Sequence, residues 1–176
     1  LLNAALALLD DHGVKNIGIR QLAKITNVAH SAPANHFKNK QSLIEALHAK
    51  SVSHFIETLK LKLTQISNTQ DPIKHFLTVV LEYGLHFPNR YRLIWQSEFP
   101  LSSAMDEVYS LLTHRLKAHA DRKFVDVESL AIAVWSLVHG YVVLRLDGHL
   151  DTGQDCVTGL DREDAIIDVM LEGVLT

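Results

Sequence analysis

Side chains that can hold an anion or read a hydrogen-bonding edge are concentrated between residues 30 and 40. His30, Asn35 and His36 can donate or accept hydrogen bonds, and Lys38 and Lys40 follow at once. Imidazole, amide and ammonium groups are the side chains that proteins direct at nucleic-acid bases and phosphates. The side chains between them are mostly small, which permits close approach to a ligand. This stretch therefore predicts recognition of a phosphate-bearing partner.

Three short helices are predicted to position this stretch. Apolar residues repeat at three-to-four spacing over residues 1–12, and a glycine ends that run. A second short helix covers residues 19–26, and Asn27 tolerates the left-handed conformation of a tight turn after it. A third, brief helix covers about residues 29–37. Its Pro33 is tolerated if it lies in the first turn, where N–H groups lack helical partners.

A helix followed by a tight turn and a short helix is the helix-turn-helix arrangement. In DNA-binding proteins its second helix enters the major groove. Lys38 and Lys40 flank Asn39, the predicted cap of a long helix. Cations at that end oppose the helix dipole, but a bound phosphate completes the site. We therefore predict binding of double-stranded DNA. The alternative from these residues alone is a three-helix structural bundle with exposed lysines.

Residues 2–50 resemble the DNA-binding domain of the TetR/AcrR family of bacterial repressors. The matching segments are AALALLDDHG, IRQLAKITNVA and HFKNKQSLIEAL. The SAP of residues 31–33 and the later WSLVHG are similar to a subgroup with a Trp-His-Gly motif in its C-terminal domain. That motif here is Trp135, His139 and Gly140.

The resemblance implies roles for the first domain. Arg20 contacts a phosphate, and His36 and Lys40 hold the DNA backbone. The complete predicted DNA-binding set is Arg20, His30, Ser31, Ala32, Asn35, His36, Lys38 and Lys40. Four residues depart from the family pattern, in which position 18 is Ser or Thr, 27 is Gly, 29 is Ser or Thr and 34 is Tyr. They are Gly18, Asn27, Ala29 and Ala34. Loss of the tyrosine removes one expected phosphate contact.

The rest of the chain also has helical periodicity, and no segment alternates as a strand does. Helices are predicted over about 39–66, 72–87, 89–97, 103–122, 127–147 and 161–174, with a loop at 148–160. We predict an all-α fold of about nine helices. A helix-turn-helix DNA-binding domain covers residues 1–47, and a helical ligand-binding and dimerisation domain covers 48–176. The long helix from Asn39 is the expected lever between them.

Charge is distributed unevenly along the chain. Residues 1–50 carry six basic and three acidic side chains (+3), and the remainder carries 11 basic and 17 acidic (−6). A basic end on an otherwise acidic chain indicates that only this end binds an anionic partner. A single cysteine, Cys156, excludes an internal disulfide, and no apolar run is expected to reach the ~20 residues of a membrane span. We predict a cytoplasmic protein without membrane contact. Because the chain begins inside an apolar run without a cap, further residues are expected upstream.

The resemblance implies that the C-terminal domain binds a small-molecule effector and forms a homodimer. Aromatic side chains with a few polar tips suit an apolar or amphipathic ligand. The predicted ligand-binding residues are Tyr83, His86, Trp95, Phe99, Tyr109, Trp135 and His139. The alternative is that these aromatic residues belong to the core, and that His139 is a hydrogen-bonded core histidine.

The predicted helix at 127–147 is apolar nearly all round and must be covered on most sides. The predicted dimer contacts are Leu137, Tyr141, Ile166 and Met170. The alternative is that both helices are buried within the protomer.

Other classes of function have less support. The chain lacks G-x-S-x-G, a phosphate-binding G-x-x-x-x-G-K and a dinucleotide fingerprint, so we predict no enzyme and no cofactor. No two of the eleven histidines have the i, i+4 spacing of a helical metal site, so we predict no metal. A metal-sensing regulator could use only His75, His86 and His139 from different helices. We predict a repressor that a ligand releases from a palindromic operator; the main alternative is a helical protein-interaction module without DNA binding.

Overall fold

The computed structural model describes residues 1–26, 36–65, 71–99, 103–117, 126–150 and 152–175. These residues form eight α-helices and one short 3-10 helix, Val14–Asn16. The α-helices are α1 Leu2–His12, α2 Ile19–Thr26, α3 Lys40–Thr64, α4 Pro72–His86, α5 Pro88–Ile94, α6 Ser103–Leu116, α7 Val127–Leu146 and α8 Arg162–Leu175. Within the described ranges the only β-structure is an isolated bridge between Gln154 and Asp161. The predicted all-α class is confirmed. Residues 27–35, which include the predicted turn at Asn27 and most of the predicted third helix at about 29–37, lie outside the described residues.

Side-chain caps begin three of the helices. The N–H of Ser42 donates to Asn39 Oδ1 over 2.8 Å before α3, and the N–H of Ser129 donates to Asp126 Oδ1 over 2.8 Å before α7. Each bond satisfies an N–H that has no partner inside the helix. The predicted cap Asn39 is confirmed, and Asp126 has the same role before α7. Asp71 caps α4 in the same way, and the proline that follows it occupies the first helical position.

Gly13 ends α1, as the sequence predicts. Its N–H donates to the carbonyl oxygen of Leu9 over 2.9 Å, and its backbone lies at φ 71° and ψ 163°. Residues with a Cβ rarely adopt this conformation. The glycine therefore lets the chain leave α1 and enter the 3-10 turn.

The helices cluster in two units. Unit 1 is residues 1–55 with 87–101, and unit 2 is residues 56–86 with 102–176. The predicted boundary at residue 47 differs from this division, which falls inside α3 and adds α5 to the first unit. The physical reason is apolar packing, because Leu93 of α5 belongs to the same buried cluster as Leu9 and Leu43.

Unit 2 is a helical bundle in which α4 packs against α6, α7 and α8. Buried side chains such as Phe76 and Val80 of α4 and Val134 and Val138 of α7 form its core. By length and composition α7 could also cross a membrane, although core helices of soluble proteins pass the same test. The expectation that no apolar run reaches such a length is thereby corrected.

Candidate nucleic-acid interface

Basic side chains of unit 1 are displayed on its surface. Arg20 in α2 is exposed, and so are His36, Lys38 and Lys40 before and at the start of α3. The other predicted DNA contacts lie outside the described residues; they are His30, Ser31, Ala32 and Asn35.

Sequence reasoning did not assign two further cations. Lys15 in the 3-10 helix and Lys24 in α2 are both exposed. Lys24 follows Arg20 by four residues, so both project from one face of α2. That spacing is visible in the sequence and could have added Lys24 to the predicted set.

The cations between residues 15 and 40 differ from most others in how they are paired. Among the described residues, Lys15, Arg20, Lys24, Lys38 and Lys40 form no ion pair with a carboxylate. Elsewhere six basic side chains do so: Lys60–Glu107, Lys62–Glu82, Lys74–Asp168, Arg90–Asp10, Arg145–Glu163 and Arg162–Asp155. Unpaired cations on one stretch raise the local potential and leave hydrogen-bond donors for an external anion.

Lys40 has an additional contact within unit 1. Its Nζ donates to the carbonyl oxygen of Lys15 over 3.0 Å. This bond joins the first turn of α3 to the 3-10 helix. Because an ammonium group has three N–H donors, two remain for another acceptor.

The two units carry opposite net charges. Unit 1 has eight basic and four acidic side chains, a charge of +4, and unit 2 has nine basic and 16 acidic, a charge of −7. The division found in the structure therefore separates charge more strongly than a division after residue 50 does. Anions are attracted to unit 1 and repelled by unit 2.

The predicted ligand-binding residues fall in both units. Tyr83 and His86 of α4, Tyr109 of α6, and Trp135 and His139 of α7 belong to unit 2, whereas Trp95 and Phe99 belong to unit 1. The structure therefore does not bring all seven residues together within one unit.

Phe99 is a core residue of unit 1. It is buried in the cluster that contains Leu9 and Leu93, and its ring stacks on that of His48 with centroids 4.7 Å apart. The buried His48 places its Nε2 3.2 Å from the carbonyl oxygen of Ile94. For Phe99, the core alternative describes the structure better than a pocket lining.

Trp135 and His139 of α7 form a stacked pair. Their ring centroids are 6.2 Å apart and their planes differ by 10°. Burial lowers the pKa of His139, so its neutral form is favoured. A neutral imidazole beside an indole is a mostly apolar surface with one polar edge.

The predicted dimer residues differ in exposure. Leu137 is exposed and Ile166 is half-buried, but Tyr141 and Met170 are buried within the protomer. Tyr141 and Met170 therefore agree with the alternative that these helices are buried within the protomer. Other large apolar side chains of α7 and α8 are exposed instead: Ile132, Val143, Leu144 and Val169.

The histidines do not assemble a metal site within the described ranges. No group of three or more His, Cys, Asp or Glu side chains there could hold an ion. His75, one of the three candidates from different helices, has its Nε2 2.9 Å from the carbonyl oxygen of Lys62.

Both parts of the chain match known families. Residues 1–47 match the model described as bacterial regulatory proteins, tetR family. Residues 73–170 match the model described as tetracyclin repressor-like, C-terminal domain. Because this second match alone spans more than half of the chain, the chain belongs to the TetR family of bacterial regulatory proteins.

One curated relative is the HTH-type transcriptional regulator BetI of Serratia proteamaculans (strain 568). It is 32% identical over 68 residues, which is 39% of this chain and 34% of BetI. The match thus spans about one third of the length of that relative.

Solved structures share the fold along the chain. A protein with unknown function from Rhodococcus sp. RHA1 has a TM-score of 0.77 at 21% identity, covering 99% of this chain and 93% of that one. BioQ with its double-stranded DNA operator has a TM-score of 0.65 at 21% identity, covering 99% and 94%. FadR from Bacillus subtilis in complex with stearoyl-CoA has a TM-score of 0.65 at 15% identity, covering 99% and 96%.

Proposed function

We propose that this chain is a ligand-responsive repressor, which binds a palindromic DNA operator as a homodimer and releases it when an effector binds unit 2. The observation that carries the proposal is the set of exposed, unpaired cations from Lys15 to Lys40 in a unit of net charge +4. Cations that neutralise phosphates supply much of the affinity of such proteins for DNA.

Arg20 and Lys24 are the proposed phosphate contacts of α2, and Lys38 and Lys40 those at the start of α3. These positions suit the orienting contacts that fix a protein on the duplex. Base reading is assigned, by resemblance to the family, to the residues of the predicted recognition helix: His30, Ser31, Ala32 and Asn35. Ala34 stands where the family usually has Tyr, so phosphate contact depends more strongly on the cations.

The exposed apolar side chains of α7 and α8 support a homodimer. Ile132, Leu137, Leu144 and Val169 are large, apolar and exposed. Where such residues form a contiguous patch, the patch typically marks an interface. A second copy can cover them with the same residues, as a two-fold interface requires. A two-fold dimer also presents two recognition helices to half-sites about 34 Å apart.

Unit 2 is the proposed effector-binding unit. Trp135, His139 and Gly140 lie on α7 within the region matched by the C-terminal family model, and we assign the chain to the Trp-His-Gly subgroup on these residues. The stacked Trp135 and His139 favour an apolar or amphipathic effector. Because such a regulator acts on the chromosome, we propose a cytoplasmic location, with α7 covered by protein and not by lipid.

Sequence-specific DNA binding is tested by letting the full chain select duplexes from a pool of random sequences. We expect enrichment of an inverted repeat, and weaker enrichment by the Arg20→Gln/Lys24→Gln double variant. The matched control is Lys60→Gln/Lys62→Gln, which removes two paired lysines of unit 2. A wild-type chain that is folded and enriches no sequence would overturn the proposal and favour a helical interaction module.

The test of effector release uses stearoyl-CoA as an amphipathic probe, because a solved structure of similar fold contains it. An effector that favours one conformer lowers DNA affinity by its differential affinity for the two states. We expect the probe to raise the melting temperature and to weaken binding to the enriched duplex. If it changes neither quantity, stearoyl-CoA is excluded as an effector.

A further inference from the structure

Three side chains tie α5 to the end of α1 within unit 1. The guanidinium of Arg90 donates from Nε to Asp10 Oδ1 over 2.8 Å and from an Nη atom to Asp10 Oδ2 over 2.6 Å. The side-chain amide of Asn89 donates to the carbonyl oxygen of Asp10 over 2.8 Å. We call Asp10, Asn89 and Arg90 the clamp.

The geometry and the partial burial of the clamp favour a stronger interaction than that of an ion pair at an open surface. Two parallel N–H···O bonds between a guanidinium and a carboxylate fix distance and direction together. The side chain of Arg90 is only 12% exposed and that of Asp10 31% exposed, so solvent weakens the attraction less than at an open surface. The guanidinium also lies over the ring of Phe87, 4.6 Å from its centroid.

The chain reaches the clamp directly from α4. Phe87 is the single residue between the last residue of α4, His86, and the first residue of α5. α4 also carries Tyr83, and Tyr83 and His86 are among the predicted effector contacts. Two residues, Phe87 and Pro88, separate His86 from Asn89, so the clamp follows the end of α4 closely along the chain.

We propose that the clamp positions α1 and α2 for DNA, so that the state of unit 2 reaches the DNA-binding surface through Arg90 as well as through α3. The proposal rests on the proposed function. It makes Arg90 and Asp10 positioning residues that touch neither DNA nor effector. Residues 88–94 then move with the DNA-binding surface, and a regulatory change acts at Phe87.

The first test is hydrogen exchange of the full chain in Arg90→Gln and Asp10→Asn. We expect the amides of α1 to exchange roughly tenfold faster, because the clamp no longer holds α1 closed, while those of α8 are unchanged. The matched control is Arg145→Gln, which breaks a similarly buried pair in unit 2, where the side chains of Arg145 and Glu163 are 15% and 23% exposed. That variant should leave α1 unchanged. Unaltered exchange of α1 in the clamp variants would overturn the proposal.

The second test separates positioning from general damage by exchanging the two charges. The Asp10→Arg/Arg90→Asp double variant can re-form the pair, and it places Arg at a helix C-terminus and Asp near a helix N-terminus, which both helix dipoles favour. We expect each single variant to weaken binding to the pool-enriched duplex roughly three- to tenfold and the double variant to recover most of that loss. If the double variant loses as much DNA affinity as the two single variants lose together, the result would contradict positioning by the pair.

The outcomes distinguish the two proposals. If the wild-type chain binds DNA and the single clamp variants bind equally well, the clamp inference fails and the proposed function stands. If the wild-type chain enriches no duplex, the proposed function fails, and the exchange of α1 still decides whether the clamp holds that helix.

Discussion

Lys40 donates from its Nζ to the backbone carbonyl oxygen of Lys15 over 3.0 Å, so a side chain expected to hold DNA also holds unit 1 together. Lys38, two residues earlier, is also exposed and makes no such bond among the described residues. Substitution of each lysine in turn therefore separates the contribution of the Lys40–Lys15 bond to folding from the contribution of the lysines to DNA binding.

We predict that Lys40→Ala lowers the free energy of unfolding by about 0.5–1 kcal/mol, the usual contribution of one hydrogen bond. Lys38→Ala should leave that free energy unchanged, while both variants weaken DNA binding. Urea unfolding followed by circular dichroism measures the difference. Equal stability of the two variants would show that the Lys40–Lys15 bond contributes nothing to folding.

Gly13 is predicted to be intolerant of a side chain. Its φ of 71° is strained for alanine, and an added Cβ would lie 3.3 Å from Asn89 Oδ1. Gly13→Ala should destabilise the protein by roughly 1–3 kcal/mol. Gly18→Ala is the control, because a Cβ there meets nothing within 4 Å. Thermal unfolding of both variants checks this, and a Gly13 variant as stable as the Gly18 variant would refute it.

The exposed apolar residues of α7 and α8 predict the oligomeric state. Leu137→Glu with Val169→Glu places charge where the second copy is proposed to pack, and the desolvation cost should give monomers. Val157→Glu, at an exposed loop position of unit 2, is the control and should remain dimeric. Sedimentation velocity distinguishes these states. A dimeric Leu137/Val169 variant would place the interface elsewhere.

His139 predicts a pH dependence of stability. Burial lowers its pKa in the folded state below the ordinary value of 6.5. As the pH falls below about 6.5, the unfolded chain gains a proton that the folded chain does not, so the free energy of unfolding decreases until the lowered pKa is passed. The melting temperature of His139→Gln should therefore fall less than that of wild type between pH about 8 and about 5.5. If the melting temperatures of wild type and His139→Gln fall by the same amount over this pH range, His139 is not the source of the pH dependence.

Local chemistry made much of the fold predictable. Asn39, Asp126 and Gly13 begin or end helices through contacts with residues three or four positions away, and such contacts can be read from a sequence. Arg90 and Asp10 are 80 residues apart, and no local pattern indicates that they meet. Their pairing depends on how α5 packs on α1, which also explains why the predicted boundary at residue 47 omitted α5.

The candidate site was predictable only in part, for a related reason. Residue type indicated that Arg20, Lys38 and Lys40 would be exposed, because isolated charges are rarely buried. Residue type does not distinguish an aromatic core residue from a pocket residue, so Phe99 was assigned to the pocket although it packs beside His48 in unit 1.

The salt dependence of DNA affinity decides whether the unpaired cations of unit 1 bind DNA phosphates. Fluorescence anisotropy with the enriched duplex, from about 50 to about 200 mM salt, should give a steep loss of affinity for wild type. Arg20→Gln and Lys24→Gln should each make the logarithmic slope shallower by about 0.9, the value for one lost phosphate contact. Binding by the folded chain that is insensitive to salt, or no binding to any duplex at low salt, would show that these cations do not hold DNA phosphates.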